Sequence, residues 1–470
     1  MNQDKWSRNR RNRYNWNKSR RNKYRWNRLL CSVSRWTRGR SLYYGLAIAA
    51  SLLIISGLLS SLSSREEEKV KKQPDTSRQH AEEGQEPQLT ENPNIRVLIM
   101  TTGHAGIVHP GVEVSSPAGL VLSFGEEQQE IEPGQKAAFA PDDERFAKGN
   151  LRIQAKDGGE VTLDSIERGY GVPSYAGTLE LRTTAEGIVI INELPVETYL
   201  CKVVPSEMPA SYELEALKAQ AVCARSYAYQ QMTEYGYPEY EAHVNDSTDF
   251  QVYGNSQAQE ASSQAVSETQ GQVARFNGQI VTTYYYSTSC GKTTSLEAWG
   301  TEANEQNQYL QTVEVKDEEG DYERELPWYR WEARIPVQTL SNLVGLNTAT
   351  DVGTLQNVEV TRTGPGGVAL QICATGDKGS VTVDTENKIR RALGGSGYEI
   401  QKQDGNTVAS SAPLPRAFFT IGKEGDTFVI KGGGYGHGIG MSQNGANEMA
   451  KKGKTYIDIL TLFFPGITVE

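Results

Sequence analysis

The stretch VVPSEMPASYELEALKAQAVCARSYAY, Val203 to Tyr229, sets one glutamate, Glu207, between two prolines and directly before a helix-like run. Proline fixes its own φ and pushes the residue before it out of the helical region. The pattern therefore predicts Glu207 in an extended or turn conformation at the mouth of a helix. A carboxyl that must meet a substrate atom in a set geometry needs such fixing, whereas a solvated glutamate does not. In the run that follows, Leu214, Leu217, Ala221, Ala224 and Ala228 recur at three-and-four spacing and predict a small-residue face suited to close packing. Lys218 and Arg225 are seven apart and share a neighbouring face. They either pair with glutamates or stay solvated, or they flank Glu207 and hold an anionic or hydroxyl-rich substrate.

Working outward, β-type apolar runs separated by Gly, Pro and Asp turns (VEV, LVLSF, LRIQA, VTLD, LELRT, GIVIIN) predict a β-rich region over residues 95–190. After the helix, GQVARF, GQIVTTYYYSTS, NVEVTRT, GVALQICA, GSVTVD, AFFTIG and DTFVIKG read as strands, with a short helix at ENKIRRALG and two more in the closing NGANEMAKKGKTYIDILTLFFPG. The expected class is α+β: a β-rich ectodomain with one long helix after the glutamate loop.

The N-terminus sets the expected compartment. Residues 42–62, LYYGLAIAASLLIISGLLSSL, form an uncharged run long enough to cross a bilayer as a helix. Residues 1–40 hold 14 Lys or Arg and one acid, Asp4, which places residues 1–41 in the cytoplasm and everything after residue 64 outside. A cleaved signal peptide is the rival reading, but its apolar region would be shorter. In the tail Trp6, Trp16, Trp26 and Trp36 recur every ten residues. That low-complexity pattern suits attraction to anionic lipid, and no nucleic-acid partner is expected because nothing else in the chain supports one. Residues 63–94, charged and almost free of apolar side chains, read as a flexible stalk. Of the chain's 48 basic and 58 acidic residues, 34 and 57 lie beyond the tail, a formal charge of −23. An extended basic face for a polyanion is thereby excluded, and any acidic ligand needs a few local cations. Cys201, Cys223, Cys290 and Cys373 match no zinc-finger spacing; a Cys201 to Cys223 bridge is one possibility.

Two glycine-rich turns stand out. STSCGKTTSLEAWG from Ser287 carries Ser, Cys, Lys and Thr; KGGGYGHGIGMSQNGA from Lys431 sets His437 between glycines. Neither is a nucleotide-binding fingerprint. They are either tight turns of a β-rich fold or backbone brought close to a ligand. Cys290 as nucleophile with His437 as base is a rival reading with no local support, and GMSQNG is no nucleophile elbow for Ser442.

Taken together, NELPVETYLCKVVPSEMPASYELEALKAQAVCARSYAY, DSTDFQVYG, YYYSTSCGKTT, LPWYRWE, IRRALG and GYGHGIGMSQNGANEMAKKGKTYIDILTLFFPG, in that order across Asn192 to Gly466, resemble the stage II sporulation protein D family, which also takes in bacterial amidase-enhancer proteins. The resemblance implies a catalytic domain over residues 191–470. Its activity would be that of a membrane-anchored lytic transglycosylase, cutting peptide-free peptidoglycan glycan strands to 1,6-anhydro ends during sporulation engulfment. It makes Glu207 the catalytic acid/base. As substrate-binding positions it suggests Lys218 and Arg225, then Tyr285 just before the first turn and Ser287, Ser289 and Gly291 within it, and Tyr435, His437, Ser442 and Gln443 of the second. The basic pair would take the lactyl carboxylate of muramic acid. Many relatives carry a His-Cys pair, apparently metal-binding, where Asp249 and Phe250 stand here, so no zinc and no other cofactor is expected, and His243 is left alone. Implied partners are a cell-wall amidase/endopeptidase and a membrane protein of the engulfment complex, with the ectodomain of a single-pass protein facing the wall. The alternative is a non-catalytic glycan binder that enhances or recruits an amidase.

Overall fold

The strand Asn94–Ile99 alternates so that Ile95, Val97 and Ile99 join one apolar cluster while Leu98 joins another with Val189, Ile191 and Ala242. A strand apolar on both faces belongs inside a sheet. It pairs antiparallel with Ile188–Pro195 and parallel with Val244–Asn245. The computed structural model describes residues 92–470, residue 412 apart, and all of these fall in one compact unit. The expected membrane span at 42–62, the tail and nearly all of the stalk lie outside the described residues. Among the described residues no helix is long and apolar enough to cross a membrane.

The class is α+β. A seven-stranded sheet runs in the order Val244–Asn245, Asn94–Ile99, Ile188–Pro195, Thr178–Thr183, Leu151–Ala155, Leu120–Phe124, Glu127–Ile131. A four-stranded sheet holds Lys136–Phe139, Val112–Ser115, Val161–Leu163 and Ser174–Tyr175. Further along the chain, a five-stranded sheet is centred on Trp331–Pro336 and a three-stranded sheet on Ala369–Gly376.

The helices are α1 (Val196–Glu207), α2 (Leu214–Gln231), α3 (Glu260–Glu268), α4 (Val337–Thr348), α5 (Glu386–Leu393), α6 (Gln443–Lys451) and α7 (Tyr456–Phe463). Helix α2 packs against α1, α3, α6 and α7. Its small residues permit this: Ala216, Ala219, Ala221, Ala224 and Ala228 are all buried, on more sides than the single face the spacing predicts.

The reading of Glu207 needs correction. It is not in an extended or turn segment but is the last residue of α1, which passes through Pro205. The proline costs one backbone bond near the helix end, where the Ser206 hydroxyl donates to the Lys202 carbonyl at 2.6 Å. The extended residue is Met208, which precedes Pro209. The run GQIVTTYYYSTS also departs from expectation: only Gln279–Ile280 and Tyr285–Tyr286 are strand. Tyr285–Tyr286 pairs in parallel with Met441–Ser442, and this joins the two glycine-rich turns. Gly440, at φ +75°, lies so close to the Tyr284 carbonyl that an added Cβ would collide with it. Gly440→Ala should therefore destabilise the protein by about 2–4 kcal/mol, through left-handed strain and overpacking together, measured as a fall in the urea midpoint.

Candidate active site

Glu207 sits at the C-terminal end of α1, where the outward-facing backbone carbonyls disfavour a negative charge. Its Oε1 accepts the Val252 amide at 2.7 Å. Burial is the leading influence and pushes the carboxyl up to about 7, against smaller lowering effects from that amide and from the Tyr285 hydroxyl. Val203, Val204 and Met208, its apolar neighbours along the chain, are all fully buried.

The tyrosine is placed by a chain of hydrogen bonds. The Tyr199 hydroxyl donates to Gln251 Oε1 at 3.3 Å, and Gln251 Nε2 donates to the Tyr285 oxygen at 3.1 Å, so the Tyr285 proton is free to point at Glu207. Tyr227 completes a phenolic wall, its own ionisation opposed by burial, by Tyr284 and by the nearby Glu207. Tyr285→Phe should raise the pKa of Glu207 further, because it removes a hydrogen bond that favours the charged carboxyl. Infrared spectra of the carboxyl band across a pH series check this.

Helix α6 fixes the segment after Glu207. Gln443 Nε2 donates to the Glu207 carbonyl at 3.2 Å, Asn444 Oδ1 accepts the Tyr212 hydroxyl at 2.6 Å, and Asn447 Oδ1 accepts the Glu213 amide at 2.9 Å. Asn444 also donates to the Ser287 carbonyl at 3.1 Å and to Thr288 Oγ1 at 3.0 Å. Gln443 and Tyr285 are thus brought to Glu207, while Ser287 is held through Asn444.

Other expected site residues go elsewhere. Arg225 is fully buried and forks onto Glu197 at 2.7 and 2.8 Å, with further bonds to the carbonyls of Gln272 and Val266. Lys218 pairs with Glu215 at 2.9 Å and Glu268 at 2.6 Å. The bland reading of both, pairing with glutamates, is the one the geometry follows. Ser289 and Ser442 are fully buried, and both bond the carboxyl of Glu323. Gly291, at φ +99°, lies against the Asp321 carboxyl. These three build the scaffold, not a substrate surface.

His437 is half-buried against Tyr286 and Trp299, at ring distances of 5.5 and 5.1 Å. Its Nδ1 accepts the Ile439 amide at 3.1 Å, and it bonds the Tyr285 carbonyl. Burial chiefly, then Arg390, holds its pKa down at about 3, so it is a neutral wedge under the Tyr285 strand. The glycines around it have a packing reason: a Cβ at Gly434 or Gly438 would run into the buried guanidinium of Arg416.

The cysteine readings also end here. Cys201, Cys223, Cys290 and Cys373 are all free thiols, so the Cys201 to Cys223 bridge is not formed. Cys290 has its sulfur 4.0 Å from the Lys292 carbonyl, and with both His437 nitrogens engaged no thiol–imidazole pair exists. Nor do the residues fit a zinc ion. His243 uses Nδ1 to accept the Arg96 amide at 3.0 Å and stacks on Tyr235, while the Phe250 ring packs near Tyr237. Among the described residues no three His, Cys, Asp or Glu side chains gather as a metal site.

Gln251, Tyr199 and Tyr227 escaped the sequence reading, as did Asn444, Asn447 and Glu323. The two tyrosines, Gln251 and the two asparagines lie inside the blocks that carry the family resemblance, which were their only signal.

Residues 184–276 match the stage II sporulation protein family model, and residues 284–440 match a family described as a domain of unknown function. Stage II sporulation protein D of Bacillus amyloliquefaciens is 28% identical over 372 residues, covering 75% of this chain and 91% of that one. The amidase enhancer of Bacillus subtilis (strain 168) is 30% identical over 298 residues, 57% of this chain and 39% of that one. Stage II sporulation protein D of the same Bacillus subtilis strain is 30% identical over 294 residues, 60% of this chain and 76% of that one. With the Glu207 segment inside residues 184–276 and a 30% identical relative covered over 76% of its length, the chain belongs to the stage II sporulation protein D family.

Proposed function

We propose that the protein is a peptidoglycan lytic transglycosylase with Glu207 as its acid and base. The observation that carries this is a carboxyl pushed up to about 7 by burial, hydrogen-bonded to the Val252 amide and the Tyr285 hydroxyl, with no second carboxylate among the groups that set its pKa. Hydrolytic glycosidases generally need two carboxyls. One suffices when the nucleophile is the sugar's own C6 hydroxyl. Protonated Glu207 gives its proton to the glycosidic oxygen as the C1–O bond breaks. The carboxylate then takes the proton of the C6 hydroxyl as that oxygen bonds to C1, closing a 1,6-anhydro ring and restoring the acid.

The substrate in this reading is a glycan strand freed of stem peptides. The uncharged run at 42–62 would hold the enzyme in the membrane with the described unit facing the wall. An amidase/endopeptidase and a membrane protein of the engulfment complex would be its partners.

The likeness to a protein named amidase enhancer favours a second reading, glycan binding that promotes a separate amidase. Mass spectrometry of peptide-free strands incubated with the protein, beside Glu207→Ala, separates the two. Products ending in 1,6-anhydro-muramic acid that vanish in the variant establish the lytic reading. Intact but bound strands establish the enhancer.

A further inference from the structure

With Lys218 and Arg225 committed to glutamates, an anionic strand needs other cations. A different surface offers them. Tyr435 is 42% exposed and its ring lies 4.8 Å from that of the partly exposed Trp328. Backbone bonds hold this aromatic ledge in place. Tyr435 exchanges both bonds with Thr288, at 2.8 and 3.0 Å, and the Gly434 amide donates to the Trp328 carbonyl at 2.9 Å. Thr288 is three residues along the chain from Tyr285, at most about 10 Å of extended backbone. The ledge therefore lies within a few sugar rings of Glu207.

Beyond it opens a groove of about 580 Å³ lined by Arg330, Lys402 and Lys431, by Trp331 and Phe418, and by the acid Glu332. Lys402 lies 5.7 Å from the Trp328 ring centre and joins groove to ledge. Its contact with Asp404 is long, at 3.9 Å, as is that of Lys431 with Glu332, at 3.8 Å. Pairs that far apart and partly open to water hold little energy, so both ammonium groups can turn to a ligand. Three cations in one groove stand out from a chain that carries −23 beyond its tail.

We propose that the Trp328–Tyr435 ledge and the Arg330, Lys402 and Lys431 groove form a distal subsite for a peptide-free glycan strand, the rings stacking on sugar faces and the cations binding muramoyl lactyl carboxylates. This rests on the glycan substrate proposed above. It adds a source of selectivity: where a stem peptide is attached that carboxyl is an uncharged amide, and where the peptide has been removed it is an anion.

The test uses the full chain in detergent, carrying Glu207→Gln so that strands are not consumed, and titrates it with peptide-free glycan strands by calorimetry. Trp328→Ala should weaken binding about 3- to 10-fold. Lys402→Glu with Lys431→Glu should weaken it at least about tenfold and flatten its salt dependence. Strands whose carboxyls have been converted to methylamides should bind weakly, and equally to the parent and the charge-reversed protein. Unchanged affinity in the charge-reversed protein, its thermal melt intact, overturns the subsite, as does equal affinity for native and amidated strands. So does tighter binding of a poly(glycerol phosphate) chain, which would assign the groove to phosphodiesters. Because turnover is absent, a chain that never cleaves can still pass this test. One that cleaves but binds strands equally well after charge reversal fails it with the lytic reading intact.

Discussion

Glu207→Gln is expected to lower cleavage of peptide-free strands by about 10²–10⁴-fold, the usual weight of a positioned acid/base, and to stabilise the protein at pH 8. The two effects share one cause. The folded carboxyl titrates at about 7, whereas in the unfolded chain it titrates at its ordinary value of about 4.3. Between those values the native state holds a proton that the unfolded state has released, so stability falls as pH rises through this window and stays low above it. Glutamine never ionises and escapes the loss, which is at most about 4 kcal/mol. Urea midpoints of parent and variant should therefore converge below pH 4 and diverge above pH 7, with the variant more stable. In the active protein kcat/KM should fall as pH rises past about 7, because the proton needed by the leaving oxygen is gone. A variant that loses activity with no stability gain at pH 8 would place Glu207 in water and remove the case for a raised pKa.

Much of this arrangement was legible in the residues, for physical reasons that differ from place to place. Helix α2 was readable because leucine and alanine at three-and-four spacing have one good solution, and the short closing helices because KKGK breaks the segment in two. Glu207 was readable as a fixed group, but its backbone state was not. Proline penalties are local, and at Pro205 they fall in the last helical turn, where tertiary packing of Val203 and Val204 outweighs them. The run through Tyr284 to Ser289 looks like one strand by composition. It is instead pinned by its neighbours: Tyr285–Tyr286 pairs with Met441–Ser442, and Thr288 with Tyr435. Pairing across 150 residues has no local signature. Nor does the chain of bonds from Tyr199 through Gln251 to Tyr285, which no spacing rule connects.

The glycine-rich turns show the same division. The sequence marks both as places where backbone must come close to something. In the second turn that something is in part the chain's own Arg416, whose guanidinium fills the space that side chains at 434 and 438 would need. Tyr435, projecting from the same turn, is left on the surface, as is Lys431 at its start. A single motif thus supplies a packed foundation and one exposed ring, and function divides between them residue by residue.

Arg225→Ala is expected to destabilise the protein by about 3–5 kcal/mol, because it strands Glu197 in a largely buried place. The pair is held by two short bonds from the guanidinium, and Glu197 keeps only the Gly271 amide, at 3.2 Å, once the arginine is gone. Joint replacement, Glu197→Gln with Arg225→Met, should recover much of the loss, since no unpaired charge then remains inside. Chemical denaturation of the single and double variants measures this coupling. A basic residue on the helix that follows Glu207 suggests a ligand contact when only one dimension is visible. In three dimensions its partner, Glu197, stands in the first turn of α1, and their bond ties α2 to the helix whose other end holds Glu207. If Arg225→Ala kept its denaturation midpoint and lost glycan affinity alone, the arginine would belong to the substrate after all. If it unfolds as expected, its part is to hold α1 against α2, so that the carboxyl at the far end of α1 stays where the Val252 amide and the Tyr285 hydroxyl can reach it.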